Sequence, residues 1–190
     1  MARDSEETKR RLFQAATDEF TTHGIAGARI DRIAAAAGAN KQLIYAYFGN
    51  KRELFEAVVS KHVTRFLEEV PFDVMDLPAH AVAMFDFYVD HPEIAQLGTW
   101  HALEPGEADH PIPVIEQAVR RRARQVARAQ AEGVVSSCVP AADLLALISS
   151  ITRTWAIATP ELLPQRVDRR RIGARREAVR EATRRLVEAT

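Results

Sequence analysis

Cysteine is scarce in this sequence and long apolar runs are missing, and each scarcity excludes a class of protein. Cys138 is the only cysteine among 190 residues, which excludes an internal disulfide and a cysteine-based zinc cluster. No stretch approaches the roughly 18 to 20 apolar residues of a membrane helix. The charged start MARDSEETKRR lacks the apolar centre of a secretory signal. We therefore expect a cytoplasmic protein with no membrane partner.

Net charge is also absent, because 26 Lys and Arg residues balance 26 Asp and Glu residues. Bulk charge therefore does not indicate a nucleic-acid binder. From the first residue to Lys51, eight basic side chains face six acidic ones, a small excess. Attraction to phosphates is weak evidence at this level, so a DNA-binding function has to be argued from the geometry of a motif.

Proline is missing from the first 70 residues, whereas nine prolines punctuate the chain from Pro71 to Pro164. Because proline cannot continue a helix interior, it marks helix starts and connections. Between these marks the apolar residues recur with helical spacing, and no segment alternates as a strand does. The pattern predicts an all-α protein of about nine helices.

Capping residues predict where the first helices begin. Asp4 with Glu7 has the spacing of a capping box, Asn40 precedes the third helix, and Asn50 with Glu53 opens the fourth. In chain order, the expected ranges are 4–24, 30–37, 41–48, 50–70, 79–89, 92–103, 113–132, 140–158 and 168–189.

The segment 30–47 has the pattern of a helix-turn-helix. Two short helices that cross closely need a small residue at the crossing, which Ala34 provides. The turn needs a residue that accepts a positive φ, and Gly38 is suited to it. Asn40 then caps the second helix of the pair. The alternative is that Ala-x-x-x-Gly joins two helices of an ordinary bundle.

The first turn of this second helix would project its side chains outward. A helix enters the major groove and meets base edges with its N-terminal residues. Gln42 can then pair with adenine, Lys41 with guanine or a phosphate, and Leu43 can touch a thymine methyl group. Tyr45 and Tyr47 lie two residues apart and point to different sides, where one or both can reach phosphates.

The stretch IDRIAAAAGANKQLIYAYFGNKRELFEAVV resembles the DNA-binding region of the TetR family of transcriptional regulators. Its Ile-Ala-x-x-Ala-Gly and Tyr-x-x-Phe-x-x-Lys-x-x-Leu elements carry the resemblance, which is clear from Phe20 to Val59. The resemblance implies base or phosphate contacts from the side chains of Asn40, Lys41, Gln42, Leu43, Tyr45 and Tyr47. It also implies a phosphate contact from Lys51 at the start of the fourth helix.

The sequence departs from the family at the start of the second helix. The family usually places Thr or Ser there, whereas this chain has Ala28 and Arg29. Loss of such a cap typically costs about 1 kcal/mol. Arg29, in exchange, gains reach toward the DNA backbone.

Beyond the motif, we expect a helix-turn-helix DNA-binding domain over residues 1–50 and a helical ligand-binding and dimerisation domain over 51–190, with the helix 51–70 connecting them. Apolar stripes on the last two helices predict a homodimer, because two-fold proteins bind palindromic half-sites. The stripe residues are Leu144, Ile148, Ile151, Ile172, Val179, Ala182 and Leu186. The alternative is that both stripes are buried within their own subunit.

Family members enclose a ligand in the second domain, so the resemblance implies a small-molecule effector here. The candidate pocket residues are Phe85, Trp100, His101 and Trp155. As an alternative, they are ordinary core residues. Arg153 interrupts an apolar helix, where an unpaired charge is costly. It either pairs with a Glu, within or between subunits, or serves as a counter-charge for an acidic ligand.

Other polar clusters yield no catalytic site. The histidines and carboxylates that invite a metal or acid–base interpretation lack a third ligand at convincing spacing; they are His91, His101, Glu104, Glu107, Asp109 and His110. No phosphate-binding glycine loop or nucleophile elbow occurs. We expect neither an enzyme nor a cofactor.

Two further features are interpreted as structural and not as functional sites. The arginines at positions 120, 121, 122, 124 and 128 look like a second nucleic-acid patch, but a solvated helix face with Val119 and Val126 inside is favoured. Cys138 is expected to be a small packing residue, with a redox-sensing thiol as the alternative.

The sequence thus predicts a homodimeric repressor released from a palindromic operator by a small molecule. The alternative is a DNA-bound factor controlled by a protein partner without any small ligand.

Overall fold

The computed structural model describes residues 2–103, 111–159, 161 and 169–188, with side chains from Glu6 onward. Within these ranges the regular structure is helical and no strand occurs. The α-helices are α1 (Ala2–Gly27), α2 (Ile30–Ala37), α3 (Lys41–Phe48), α4 (Lys51–Glu69), α5 (Leu77–Asp90), α6 (Pro92–Leu103), α7 (Pro113–Ala131), α8 (Ala141–Ile157) and α9 (Arg169–Val187). The predicted all-α class is confirmed.

Two helix starts differ from expectation by two residues, and the others by at most one. Helix α1 begins at Ala2, so Asp4 lies inside its first turn instead of capping it. Helix α5 begins at Leu77, two residues before the expected start. Asp76 explains this, because its carboxylate accepts a hydrogen bond from the Ala79 amide (2.9 Å). A short 3₁₀ helix, Val74–Asp76, precedes α5 and was not expected.

The chain forms two compact units, the first from Met1–Thr64 with Gln96–Ile112 and the second from Arg65–Ala95 with Pro113–Thr190. The first unit includes more of the chain than the expected 1–50 domain. The division by function at residue 50 stays a prediction.

The core of the first unit joins α1 to the three helices that follow it. Leu12, Phe20, Ile33, Ile44 and Phe55 are fully buried. The rings of Phe20 and Phe55 meet edge to face with centroids 5.1 Å apart, a favoured aromatic geometry. This core holds α2 and α3 in place from behind.

In the second unit, α5 packs against α8 and α9, and α7 packs against α8. Three residues of the predicted dimer stripe, Leu144, Ile148 and Val179, lie in this core with at most 1% of their surface exposed. Their assignment to a subunit interface is therefore corrected, because side chains buried within one chain offer no surface to a second. The alternative of burial within the subunit holds for these three.

Two expectations about surface residues are also corrected. On α7, Val126 is buried but Val119 is 48% exposed, and Arg122 is half-buried instead of solvated. Cys138 is exposed and does not pack in a core. Four of the polar residues for which a metal or acid–base site was considered and rejected lie outside the described residues: Glu104, Glu107, Asp109 and His110. Among the helices that are described, none is long and apolar enough to cross a bilayer.

Candidate DNA-binding site

Helix α1 fixes the orientation of α2 through a buried carboxylate. Arg32 donates from Nη2 to Glu19 Oε1 (2.6 Å) and from Nε to both carboxylate oxygens, while the Arg29 amide donates to Oε1 (2.8 Å). Burial raises the pKa of Glu19, but these donors outweigh burial and leave its pKa below the ordinary value. As expected, the Arg29 side chain provides no cap for α2. The Glu19 carboxylate satisfies an amide there instead.

The turn between α2 and α3 has the predicted left-handed geometry. Gly38 adopts φ 61° and ψ 37°, and its amide donates to the Ala35 carbonyl oxygen (3.1 Å). Ala34 is buried at the helix crossing, with Ile33 and Ala37 beside it. A residue with a Cβ would be strained at position 38, so glycine is suited to this turn.

Helix α3 presents one face to the core and the other to solvent. Asn40 caps it as predicted, accepting a hydrogen bond at Oδ1 from the Leu43 amide (2.8 Å). Ile44 and Phe48 are buried. The predicted readers on the opposite face are exposed: Gln42, Tyr45 (48%) and Tyr47 (39%). The helix is therefore supported from behind and open in front.

Two predicted phosphate-binding lysines already have protein partners. Lys41 forms an exposed salt bridge with Asp31 of α2, and such pairs contribute little to stability. Lys51 donates from Nζ to the carbonyl oxygens of Ala26 and Ala28 (both 3.3 Å). Lys51 thus ties the start of α4 to the end of α1. The DNA contacts of both lysines, and those of Arg29, Asn40 and Leu43, stay predictions.

The hydrogen bonds that Glu19 accepts from Arg32 and the Arg29 amide were not predicted from the sequence, although the sequence contains a signal for them. Glu19 lies three and four residues after Ala16 and Ala15, which are buried on the inner face of α1. An acidic residue on an apolar face requires a partner. The sequence alone does not indicate which of the nearby arginines is the partner of Glu19.

The candidate ligand residues separate into two groups. Phe85 and Trp155, whose rings meet edge to face at 5.8 Å, line a partly open cavity of about 160 Å³ in the second unit. Trp100 belongs to the first unit, where its Nε1 donates to the Thr21 carbonyl oxygen (3.0 Å). His101 lies in the same unit, 6.2 Å from the Phe55 ring. Neither Trp100 nor His101 lines this cavity.

Trp100 has a structural partner in the first unit. Helix α1 is kinked at Gly24, where φ is 64°, and a Cβ there would lie only 2.9 Å from the Trp100 ring. The predicted end of the first helix at this glycine coincides with the kink. The indole N–H that the sequence offered to a polar ligand is satisfied by the backbone of α1.

The remaining stripe residues keep some surface. Ile151, Ile172, Ala182 and Leu186 are half-buried. The exposed face of α8 adds two apolar side chains that the stripe did not include, Leu147 and Ile157, each 42% exposed. Their spacing places them on one helical face with Ser150 and Thr154, which are exposed too.

The supported, outward-facing α3 and the tight turn before it define the chain as a helix-turn-helix DNA-binding protein. Among the residues described, no group of His, Cys, Asp or Glu is arranged to hold a metal ion.

Comparison with known proteins gives the family. Residues 12–58 match the family described as "Bacterial regulatory proteins, tetR family", and residues 76–185 match "Tetracyclin repressor-like, C-terminal domain".

One curated relative and two solved structures are similar to this chain over more than nine-tenths of its length. The HTH-type transcriptional repressor SCO4008 of Streptomyces coelicolor is 42% identical over 190 residues, which cover 98% of each chain. The crystal structure of SCO4942, a transcriptional regulator from the same species, superposes with a TM-score of 0.77 at 32% identity, covering 96% of this chain and 99% of that one. FadR of Bacillus halodurans shares the fold at 15% identity, with a TM-score of 0.71 and coverage of 92% and 97%.

The chain belongs to the TetR family of bacterial transcriptional regulators. Its relatives are regulators of transcription, which supports, at the level of the family, the expectation that it is not an enzyme.

Proposed function

We propose that this protein is a homodimeric repressor that binds a palindromic operator through α3 and leaves it when a small molecule binds the second unit. The observation that supports DNA reading most directly is the exposure of Gln42, Tyr45 and Tyr47 on a helix anchored by Ile44 and Phe48. Exposed side chains on a helix that is supported by the core are what base and phosphate contacts in the major groove require.

We propose a homodimer because a single α3 contacts too few base pairs to recognise an operator. A single recognition helix covers only a few base pairs, and helix-turn-helix regulators double this contact by forming two-fold symmetric dimers. The exposed apolar side chains Leu147 and Ile157 offer apolar surface on α8 to a second copy of the chain. We therefore place the subunit interface on this exposed face, with Ile151, Ile172 and Leu186 at its margin.

Control by a small molecule is supported by the cavity beside Phe85 and Trp155. Its walls combine aromatic and aliphatic side chains with the polar groups of Thr152, Tyr88 and Arg175, the mixture typical of ligand sites. The alternative, control by a protein partner, would be favoured by a core without such space. SCO4008 is named a repressor, and repression is the direction we propose here.

The test is binding of the purified protein to duplex DNA from upstream of its own gene, with selection from random duplexes as a second arm. Gln42→Ala should alter the selected sequence, whereas Gln125→Ala, at an exposed glutamine on α7, should not. If the unaltered protein selects no sequence from random duplexes, the operator-binding proposal is refuted. A panel of small molecules then identifies those that release the DNA.

A further inference from the structure

Two arginines of the second unit have buried guanidinium nitrogens without partners. The Nε atoms of Arg122, on α7, and Arg153, on α8, are shielded from solvent and make no hydrogen bond. Within the part of the chain that the structure describes, neither residue forms a salt bridge. The predicted pairing of Arg153 with a Glu of its own chain does not occur among these residues.

Arg122 is held by aromatic rings instead of a carboxylate. Its guanidinium carbon lies 5.0 Å from the centre of the Phe72 ring and 5.6 Å from that of Phe66. Cation–π contacts of this kind fix a guanidinium but do not neutralise its charge. Burial, and to a lesser extent the charge of the neighbouring Arg121, lower the pKa of Arg122, while Tyr88 acts in the opposite direction.

Tyr88 connects the two arginines to the cavity. Its ring stacks on Phe66, with centroids 6.0 Å apart and planes 16° from parallel. Burial raises the pKa of the Tyr88 hydroxyl, while the charges of Arg153 and Arg122 act in the opposite direction. The hydroxyl is therefore a neutral hydrogen-bond donor within the field of two cations. Tyr88 also lines the cavity that contains Phe85 and Trp155.

Arg122 and Arg153 are half-buried, and each has a buried Nε–H that neither water nor protein satisfies. An unmet donor of this kind is costly, so an anion that accepts from it gains that cost as binding energy. Carboxylates suit the planar donor geometry of guanidinium groups, and a phenolic O–H adds one more donor. His80 offers Arg122 no negative charge, and its Nδ1 donates to the Pro71 carbonyl oxygen (2.7 Å).

We propose that the effector is a carboxylate with an apolar body, whose charge is bound by Arg122, Arg153 and the Tyr88 hydroxyl. The apolar body occupies the cavity between Phe85 and Trp155. This inference rests on the proposed control by a small molecule and specifies the chemical class of that molecule.

The experiment compares compounds of one shape and three charges by calorimetric titration of the full-length protein. Octanoate, octanamide and octylamine form one set, and benzoate, benzamide and benzylamine form the other. We expect a carboxylate to bind about tenfold or more tightly than its amide, since hydrogen bonds to charged groups contribute about 1.5–3 kcal/mol. The amines should bind more weakly still, because they meet like charge.

Substitutions locate the site. Arg153→Met and Arg122→Met should each weaken carboxylate binding about tenfold or more. Arg124→Met, at an exposed position of α7, serves as the matched control and should leave it unchanged. Arg153→Lys keeps the charge and should recover part of the loss. If Arg122→Met does not fold, as judged by circular dichroism, the Arg153 pair of variants decides the matter.

The anion site is refuted if neither carboxylate binds, if an amide or amine binds as tightly, or if Arg153→Met binds carboxylates normally. It is also refuted if Arg153→Met weakens only the dimer in sedimentation experiments, which would indicate a carboxylate of the partner subunit. Its failure is separable from failure of the proposed function. Release of DNA by a neutral compound would leave the repressor proposal intact, whereas carboxylate binding without release would leave the anion site intact.

Discussion

Arg32 donates hydrogen bonds to both carboxylate oxygens of Glu19 across the junction of α1 and α2, and the shortest N–O distance is 2.6 Å. Glu19 is only 9% exposed and also accepts from the Arg29 amide. This one carboxylate therefore replaces the side-chain cap that α2 lacks and ties the start of α2 to α1.

Glu19→Gln should destabilise the first unit by about 1–2 kcal/mol, because it removes a charged acceptor from a partly buried network. Since the folded pKa of Glu19 is lowered, its contribution is complete above the unfolded pKa near 4.5 and is lost as the pH falls through the folded value. Urea unfolding at neutral and acidic pH measures this.

Glu7→Gln is the matched control, since Glu7 pairs with Arg10 on an exposed helix face and should contribute little. If Glu19→Gln and the unaltered protein are equally stable at pH 7, Glu19 does not stabilise the first unit as we expect.

Gln42→Ala should relax the preference for one base pair in each half-site while leaving the other positions unchanged. Loss of a bidentate amide–adenine pair is worth about 1–3 kcal/mol of discrimination. Binding-site selection followed by sequencing measures the preference position by position. An unchanged profile for Gln42→Ala would mean that α3 is not oriented in the groove as we propose.

Tyr47→Phe should weaken binding to all sequences alike, by about two- to tenfold, because a phenolic O–H to a phosphate carries no sequence information. The ring contact with Phe48, 6.1 Å between centroids, is kept in the variant. Fluorescence anisotropy with the selected operator and with an unrelated duplex gives the two affinities. A loss confined to the operator would contradict the phosphate contact and indicate base readout by Tyr47.

Leu147→Glu and Ile157→Glu should convert the dimer to monomer, because each places a charge in an apolar interface on α8. Val134→Glu is the control, since Val134 is exposed to nearly the same extent (43%) but lies outside α8. Sedimentation equilibrium measures the association. If both α8 variants remain as associated as the control, the interface lies elsewhere.

The helix-turn-helix could be predicted from the sequence because its determinants are local. Ala34, Gly38 and Asn40 each act within a few residues of their own position, through a crossing, a turn and a cap. The same holds for Asn50, whose Oδ1 accepts from the Glu53 amide (3.0 Å) as the capping-box pattern predicts.

The second unit was less predictable because its determinants are remote in sequence. An apolar stripe such as Leu144 and Ile148 looks the same whether it is buried within one chain or between two. Arg122 lies in a run of arginines that predicts a solvated face. Its actual environment depends on Phe66 and Phe72, which no helical periodicity of α7 can indicate.

His80 should make the second unit sensitive to mild acid. Burial, together with the charge of Arg122, lowers the pKa of His80 to about 4, despite the hydrogen bond to Pro71. The unfolded chain therefore binds more protons than the folded one between about pH 6.5 and pH 4. Stability rises with pH across that window and falls as the solution is acidified, by up to about 3 kcal/mol.

His80→Asn retains an N–H donor for the Pro71 carbonyl oxygen but cannot titrate. We expect this variant to lose some packing stability at pH 7 and to show a flatter decline between pH 6.5 and pH 4, as measured by urea unfolding. Glu19→Gln should flatten only the more acidic part of the curve, so the two groups can be told apart. If His80→Asn loses stability on acidification as steeply as the unaltered protein, protonation of His80 does not destabilise the fold in this range.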